Sequence, residues 1–255
     1  MTDLIKVKNA SYILYEELLL KKENLQKEGK QYYISYLKLF GDLLTEAFKK
    51  KVECIRKKKM IAFCQRCVNQ GKLINAAELY SGIEAEMSEY EEELNRMAAE
   101  IDAASKAKYL TPDAMRQIKA VYYRLARRIH PDMRPDLSGD MILADYWNQI
   151  TLSYQHNDLN RLEELEVLVN TYLEGREAGR DDIVIEDIED RINRIEAEIE
   201  AIISHHPYTY RFILEDAAEI SAKQEELENE INEYTEYSAE LDEVLKTFDI
   251  KEMYA

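Results

Sequence analysis

Residues 211–248 read RFILEDAAEISAKQEELENEINEYTEYSAELDEVLKTF. Along this stretch, mostly apolar or small side chains return at alternating steps of four and three residues. Spacing of this kind places the side chains on one face of a helix and is typical of coiled coils. It therefore predicts one long helix. The stripe consists of Ile213, Ala217, Ile220, Gln224, Leu227, Ile231, Tyr234, Ser238, Leu241, Leu245 and Phe248.

A second stripe lies just upstream, over about residues 183–203, and a turn that contains Pro207 separates the two. Helices joined by a short turn pack side by side, so we predict an antiparallel hairpin. At 1.5 Å per residue the upstream arm spans roughly 30 Å and the last helix roughly 57 Å. The distal half of the last helix must therefore pack on the central helices, on the N-terminal hairpin or on a second copy of the chain. The upstream stripe is Ile185, Ile188, Ile192, Ile195, Ile199 and Ile202.

The N-terminal third shows the same design. A stripe over residues 33–55 predicts a long helix, and Gly71 suits the position that follows a helix C-terminus. Ser81-Gly82-Ile83-Glu84 has the S-x-x-E form of a capping box, which predicts that the next helix begins there. The two helices should form another antiparallel hairpin. The stripes are Tyr33, Leu37, Phe40, Leu44 and Ala47, then Ile83, Met87, Tyr90, Leu94, Met97, Ile101 and Ala104.

The composition agrees with a few long helices. The 255 residues include only 7 glycines and 4 prolines, too few for the many tight turns of a β-sandwich or barrel. No β-rich runs alternate with glycine-rich loops, which excludes a doubly wound α/β fold. We therefore predict an all-α fold in which two long antiparallel coiled-coil hairpins, residues 1–108 and 176–255, flank a compact helical unit at 109–175.

Charge separates the C-terminal part of the chain from the rest. Residues 1–173 hold 26 basic and 26 acidic side chains, so the whole net charge of −17 lies beyond them. So acidic a segment repels nucleic acid and anionic lipid, and neither is an expected partner. The longest stretch without Asp, Glu, Lys or Arg, from Tyr146 to Asn157, is too short to span a membrane. With no apolar leader and only three cysteines, the expected location is the reducing cytoplasm.

The central segment carries the most specific motif. Thr111-Pro112-Asp113 is a strong helix start, and Pro131 should end that helix after Ile129. Residues 121–132 read VYYRLARRIHPD, and residues 147–154 read WNQITLSY. A basic helix, the tripeptide His-Pro-Asp and a following helix of this pattern resemble the J-domain of DnaJ-type co-chaperones. The resemblance covers about residues 111–172.

The resemblance implies a function and a partner. J-domains dock their basic helix on the ATPase domain of a DnaK-type chaperone, and the His-Pro-Asp loop triggers hydrolysis of the chaperone's ATP. By this resemblance His130, Pro131 and Asp132 would be the trigger. The docking charges would be Lys119, Arg124, Arg127 and Arg128.

The segment also departs from the family. The usual first helix with the string D-Y-Y-x-x-L-G is missing, and Ala103 to Leu110 stands in its place. Tyr123 occupies a position that is often basic in the family. No glycine- and phenylalanine-rich segment or zinc domain follows. The alternative is therefore a structural or adaptor protein that acts through its coiled coils, in which the tripeptide only terminates a helix.

The residues themselves agree with a docking helix. Ile118, Tyr122, Leu125 and Ile129 share one face that can pack on the following helix. On the opposite side Lys119, Tyr123 and Arg127 form a stripe, with Arg124 and Arg128 beside it, and we expect this cationic face to be exposed to an acidic protein surface. His130, between the last apolar residue and Pro131, should lie on a surface loop.

Other signals are weaker. Cys64 and Cys67, with Cys54 upstream, offer too few ligands for a zinc site and are better explained as small core residues. The basic run from Lys49 to Lys59 is explained as a solvated helix face that complements the acidic C-terminal part, with nucleic acid or lipid as the alternative. No nucleophile–base pair, phosphate-binding glycine loop or metal cluster is present in the sequence. We therefore expect no enzyme, no metal and no cofactor, with the coiled coils available to a client or adaptor protein.

Overall fold

Helices account for almost all of the chain in the computed structural model, which describes residues 2–107, 110–174, 185 and 187–251. The predicted all-α class is confirmed. The helices in this part of the chain are α1 (Thr2–Asn69), α2 (Ala76–Lys106), α3 (Pro112–Ile129), α4 (Met141–Gln155), α5 (Leu159–Leu173), α6 (Ile188–Ser204), α7 (Tyr210–Leu214) and α8 (Ala217–Lys246). Two two-residue strands, β1 (Ile74–Asn75) and β2 (Ile250–Lys251), pair in parallel.

The end of α1 follows the signal in its sequence. Gly71 has a positive φ of 65°. Its N–H donates to the carbonyl of Val68 at 3.0 Å, and the N–H of Lys72 donates to the carbonyl of Cys67 at 2.9 Å. This pair of hydrogen bonds is a Schellman motif, which only a left-handed residue closes without strain.

The start of α2 differs from the prediction. The helix begins at Ala76, earlier than the predicted capping box at Ser81. The side-chain Oδ1 of Asn75 accepts hydrogen bonds from the N–H groups of Ala77 and Glu78. Asparagine is as good an N-cap as serine, and β1 ends at Asn75, so the helix begins directly after the strand.

The single helix predicted over residues 211–248 is broken in two. α7 ends at Leu214, and α8 begins at Ala217, where the side chain of Asp216 accepts from the N–H of Ala218 at 2.8 Å. Aspartate is a strong N-cap, and its side-chain hydrogen bond competes with a continuous helix at this position.

The described chain forms two compact units, each built from two stretches. The first unit contains residues up to Gln31 together with 108–209, and the second contains 32–107 together with 210–255. Helix α1 therefore supplies residues to both units.

In the second unit, α2 runs antiparallel to the distal part of α1. Lys59 pairs with Glu86, Arg56 with Glu91 at 3.1 Å, and Tyr33 donates to Glu100. Residues further along α2 therefore pair with residues further back along α1, so the two helices run antiparallel, which is the predicted direction. The buried side chains near the end of this pairing are Val52, Cys64, Ile74, Leu79, Ile83 and Met87.

In the same unit, α8 packs on α1. Cys54 and Ile61 of α1 form a cluster with Leu241 of α8, and Tyr234, Leu245 and Phe248 pack against it. The distal half of the last helix therefore packs within the chain, on the helix of the predicted N-terminal hairpin.

The basic run of α1 meets α8 as well. The Nζ of Lys57 donates to Asp242 at 2.7 Å and to the hydroxyl of Ser238 at 2.7 Å, and the Nζ of Lys58 lies 4.9 Å from the centroid of the Tyr237 ring. Part of the run therefore complements the acidic C-terminal segment, as the sequence predicted.

The first unit places α6 on α1. Lys22 of α1 pairs with Glu198 of α6 at 2.9 Å, and Ile192, Ile195 and Ile199 of α6 are buried. The predicted hairpin of this helix with α8 is not confirmed. The remainder of the first unit is α3, α4 and α5, which pack on one another.

Candidate functional site

Helix α3 begins and ends where the sequence predicts. The Thr111 hydroxyl oxygen accepts from the N–H of Ala114 at 3.2 Å, and Pro112 occupies the first helical position. The helix ends at Ile129, and the N–H of His130 still donates to the carbonyl of Ala126. We call residues 130–134 the HPD turn.

The apolar face of α3 packs on α4. The rings of Tyr122 and Tyr154 stack at 3.8 Å between centroids, and Trp147 lies 5.8 Å from Tyr122. Trp147 also meets the ring of His130 edge-on at 4.5 Å. Tyr122 contacts Tyr154, whereas His130, just after the end of α3, contacts Trp147 near the start of α4. The two helices therefore run antiparallel. Ile118, Leu125, Ile129 and Ile150 are buried in the same unit, which is the packing expected from the sequence.

The position of His130 corrects an expectation. Its side chain was expected on a surface loop, but the residue is only 6% exposed. The N–H of Asp132 donates to Nδ1 at 3.0 Å, and Nε2 lies 3.1 Å from Oε1 of Glu23 in α1. Because Nδ1 accepts this hydrogen bond, Nε2 is the ring nitrogen that donates to the Glu23 carboxylate. The ring points into the unit because α1 offers it an acceptor there.

The cationic stripe of α3 is likewise less open than expected. The hydroxyl of Tyr123 donates to the carbonyl of Leu20 at 3.2 Å, so the ring lies against α1. The Nε of Arg127 lies 4.0 Å from the buried carboxylate of Glu16. The stripe faces α1 because the buried side of that helix offers a carbonyl and a carboxylate to it.

This part of α1 is an integral part of the core. A large buried apolar side chain contributes about 1.5–3 kcal/mol, so detaching the stretch would cost on the order of 10 kcal/mol. That is comparable with the whole stability of an ordinary domain, about 5–15 kcal/mol. α1 therefore stays on α3 in the folded protein. Its buried apolar side chains here are Tyr12, Tyr15, Leu18, Leu19, Leu20 and Leu25.

The remaining predicted docking charges have partners on α3 and α5. Arg124, which is 54% exposed, forms a bidentate pair with Glu166 at 2.6 and 2.8 Å. Arg128 donates to the side-chain oxygen of Asn170. The Nζ of Lys119 lies 5.5 Å from the centroid of the Tyr123 ring. Exposed ion pairs contribute about 0–1 kcal/mol, so an acidic partner can replace Glu166 at Arg124 at little cost.

The HPD turn is anchored by buried residues and exposes two of its residues to solvent. Pro131 and Asp132 are exposed, whereas the next two residues are buried. The Tyr12 hydroxyl donates to the carbonyl of Met133 at 2.8 Å. The guanidinium of Arg134 donates to the carbonyl of Arg128 at 3.2 Å and forms a bidentate pair with Asp136. The backbone of the turn is therefore fixed on both sides of Asp132.

Burial sets the acid–base properties of the groups around the turn. Desolvation, followed by the charge of Glu23, raises the pKa of Tyr122 far above its ordinary value, so its hydroxyl remains a donor to Glu23 at 2.8 Å. Burial lowers the pKa of Lys27 to about 8. The Nζ of Lys27 donates to the carbonyl of Tyr154 at 2.7 Å and lies 3.6 Å from the centroid of its ring.

The structure thus brings the seven predicted residues together but divides them by role. His130 and Arg127 point to α1, and Arg124 and Arg128 point to α5. Lys119 lies beside the Tyr123 ring, and Pro131 and Asp132 are exposed to solvent. Sequence reasoning missed Glu16 and Glu23. The two lie seven residues apart on the face of α1 that contacts α3. The same stretch carries other charged residues such as Glu17 and Lys21, so the sequence did not single these two out.

The structure also shows where the residues behind the weaker sequence signals lie. Cys64 is completely buried and Cys54 donates through its thiol to the carbonyl of Tyr234 at 3.2 Å, so both are core side chains of the second unit. Burial raises the pKa of each of these two thiols. Among the described residues, no helix is long and apolar enough to cross a membrane.

Comparisons of this chain with protein-family models, with curated proteins and with solved structures found no match.

Proposed function

We propose that α3, the HPD turn and α4 form a J-like docking module through which the chain stimulates the ATPase of a DnaK-type chaperone. The observation that carries the proposal is the exposed pair Pro131 and Asp132, which directly follows a cationic helix and stands on a turn braced by Tyr12, His130 and Arg134. A braced turn presents its exposed carboxylate in one geometry, which lowers the entropic cost of binding.

On this proposal the protein performs no chemistry of its own and requires no cofactor. Arg124 supports docking, because its partner Glu166 is replaceable, and Lys119 and Arg128 add positive charge beside it. The long helices α1, α2 and α8 would bind a client or adaptor protein in the cytoplasm.

The test is single-turnover ATP hydrolysis by a bacterial DnaK-type chaperone, with and without the full chain, at low salt. We expect stimulation by the wild type, loss of stimulation with Asp132→Asn, and full stimulation with the control Asp145→Asn. Asp145 is an exposed aspartate of α4 that makes the same charge change away from the turn. Absence of stimulation by the wild type with every DnaK-type chaperone tried would refute the proposal.

A second candidate is a structural or adaptor protein in which the tripeptide only ends α3. The burial of His130 and its hydrogen bond to Glu23 favour it, since they give the histidine a complete structural role. This candidate expects no stimulation by the wild type. It also expects Asp132→Asn to behave like the wild type in every binding assay.

A further inference from the structure

A small polar cleft lies beside the HPD turn, where α6 approaches α1. Its volume is about 150 Å³, and every element around it belongs to the first unit. Asp132 reaches the cleft from the turn, so the exposed trigger carboxylate and the charged face of α6 share one surface. We call it the turn cleft; its polar lining consists of Tyr15 and Lys22 of α1, Asp132, and Arg191, Arg194 and Glu198 of α6.

Some charged groups of the turn cleft have a partner of opposite charge among the described residues, and one does not. Lys22 pairs with Glu198 at 2.9 Å. The guanidinium of Arg191 donates a hydrogen bond to the Tyr15 hydroxyl and lies near two carboxylates, those of Asp132 and Asp187. Arg194 is exposed, and it forms no ion pair with any residue in the described part of the chain. The lining therefore holds three cations and two carboxylates, and the carboxylate of Asp187 also lies near Arg191. Arg194 is the guanidinium that is open to a ligand.

We propose that the turn cleft binds a carboxylate side chain of an acidic protein partner, and that Arg194 is the group that receives it. A guanidinium presents its N–H donors as a planar fork that matches the two oxygens of a carboxylate. A phosphate group carries nearly two negative charges and would meet Asp132 and Glu198 at close range. A single carboxylate adds one negative charge and matches the one guanidinium that has no ion pair among the described residues, so an acidic protein segment is the expected ligand.

This inference deepens the proposed function, on which it rests for the identity of the partner. The predicted cationic stripe of α3 is largely directed to Glu16 and to other groups of its own chain. Arg194 gives the module an unpaired cation on the other side of Asp132. A partner that engages the HPD turn would then contact α6 as well as α3, although these two helices are far apart in the sequence.

The first test measures the cleft without the chaperone. A blocked hexaglutamate peptide is titrated into the full chain at low salt by calorimetry, and inorganic phosphate is titrated in parallel. We expect the peptide to bind the wild type and the control Arg96→Ala equally, and Arg194→Ala about ten-fold more weakly, with affinity falling as salt rises. Arg96 is an exposed arginine of α2 in the second unit. Equal binding by Arg194→Ala, no peptide binding, or tighter binding of phosphate would each overturn the assignment.

The second test separates this inference from the proposed function. In the single-turnover assay, Arg194→Glu should lose stimulation at low salt while keeping the melting temperature of the wild type. If the wild type binds the peptide through Arg194 but never stimulates a chaperone, the proposed function fails and the carboxylate site stands. If stimulation occurs and is unaffected by Arg194→Glu, the function stands and the carboxylate site is wrong.

Discussion

The imidazole Nε2 of His130 lies 3.1 Å from the carboxylate Oε1 of Glu23, which joins the HPD turn to a helix 107 positions earlier in the chain. The other oxygen of that carboxylate accepts from Tyr122 at 2.8 Å. One glutamate of α1 thus holds both the helix that precedes the turn and the first residue of the turn. Within the tripeptide, the histidine is therefore buried against the unit, whereas the aspartate is exposed to solvent.

Replacing His130 should therefore destabilise the protein. We expect His130→Ala to lower the free energy of unfolding by about 2–3 kcal/mol, because it removes two hydrogen bonds and the ring contact with Trp147. The control Asp132→Asn should change it by less than about 0.5 kcal/mol, since that side chain is exposed. Urea unfolding followed by circular dichroism measures both. Equal stability of His130→Ala and the wild type would show that the histidine is not held as the structure has it.

The partly buried ammonium of Lys27 should make stability depend on pH. Its pKa is about 8 in the folded state and 10.5 in the unfolded chain, so between these values the unfolded state binds more protons. Stability should then rise with pH from about 8, where the cost of burying the charge begins to disappear. Tyr123 opposes this above about pH 10, because burial raises its pKa to about 12.

The measurement compares two lysine variants by urea unfolding between pH 7 and 9.5. The wild type should gain stability relative to Lys27→Met as the pH rises, whereas its difference from Lys30→Met, at an exposed position of the same helix, should stay constant. The carbonyl of Tyr154 keeps a second donor, the N–H of Asn157, so Lys27→Met should fold. A parallel pH dependence for the two variants would contradict the burial of Lys27.

The lysine that joins α1 to α8 should matter far more than its neighbours in the basic run. Lys57 is 14% exposed in its side chain and donates to Ser238 and Asp242, so Lys57→Met should cost about 1–3 kcal/mol. Lys51→Met, which alters an exposed lysine, should cost less than about 0.5 kcal/mol. Thermal unfolding of the two variants decides this, and similar melting temperatures would mean that α8 does not depend on Lys57.

Two helical glycines should respond in opposite ways to alanine. A Cβ at Gly41 would lie 2.9 Å from Cγ1 of Ile101, near the rigid base of that side chain, so Gly41→Ala should destabilise by about 1–3 kcal/mol. Gly82, inside α2, faces open space, so Gly82→Ala should stabilise by about 0.5–1 kcal/mol through helix propensity. Differential scanning calorimetry checks both, and a stabilised Gly41→Ala would show that α1 and α2 pack less closely there.

Several elements of the fold were predictable from the sequence because their causes are local. The start of α3 at Thr111-Pro112, its end before Pro131 and the termination of α1 near Gly71 depend on a few neighbouring residues. The break at Asp216 was missed although its cause is local as well. The 4-3 stripe continues through that point, and the spacing of apolar residues does not reveal a single N-cap residue at which a new helix begins.

The sequence by itself determined the helical class and the motif of α3, since side-chain periodicity, proline and capping residues act within a few turns of one helix. Only the tertiary structure decided which helix covers which. It placed α6 and α8 against different parts of α1, turned His130 inward to Glu23 and brought Arg194 beside Asp132. The physical reason is that an amphipathic stripe specifies an apolar face but not its partner, and the partner follows from how all such faces are buried at once.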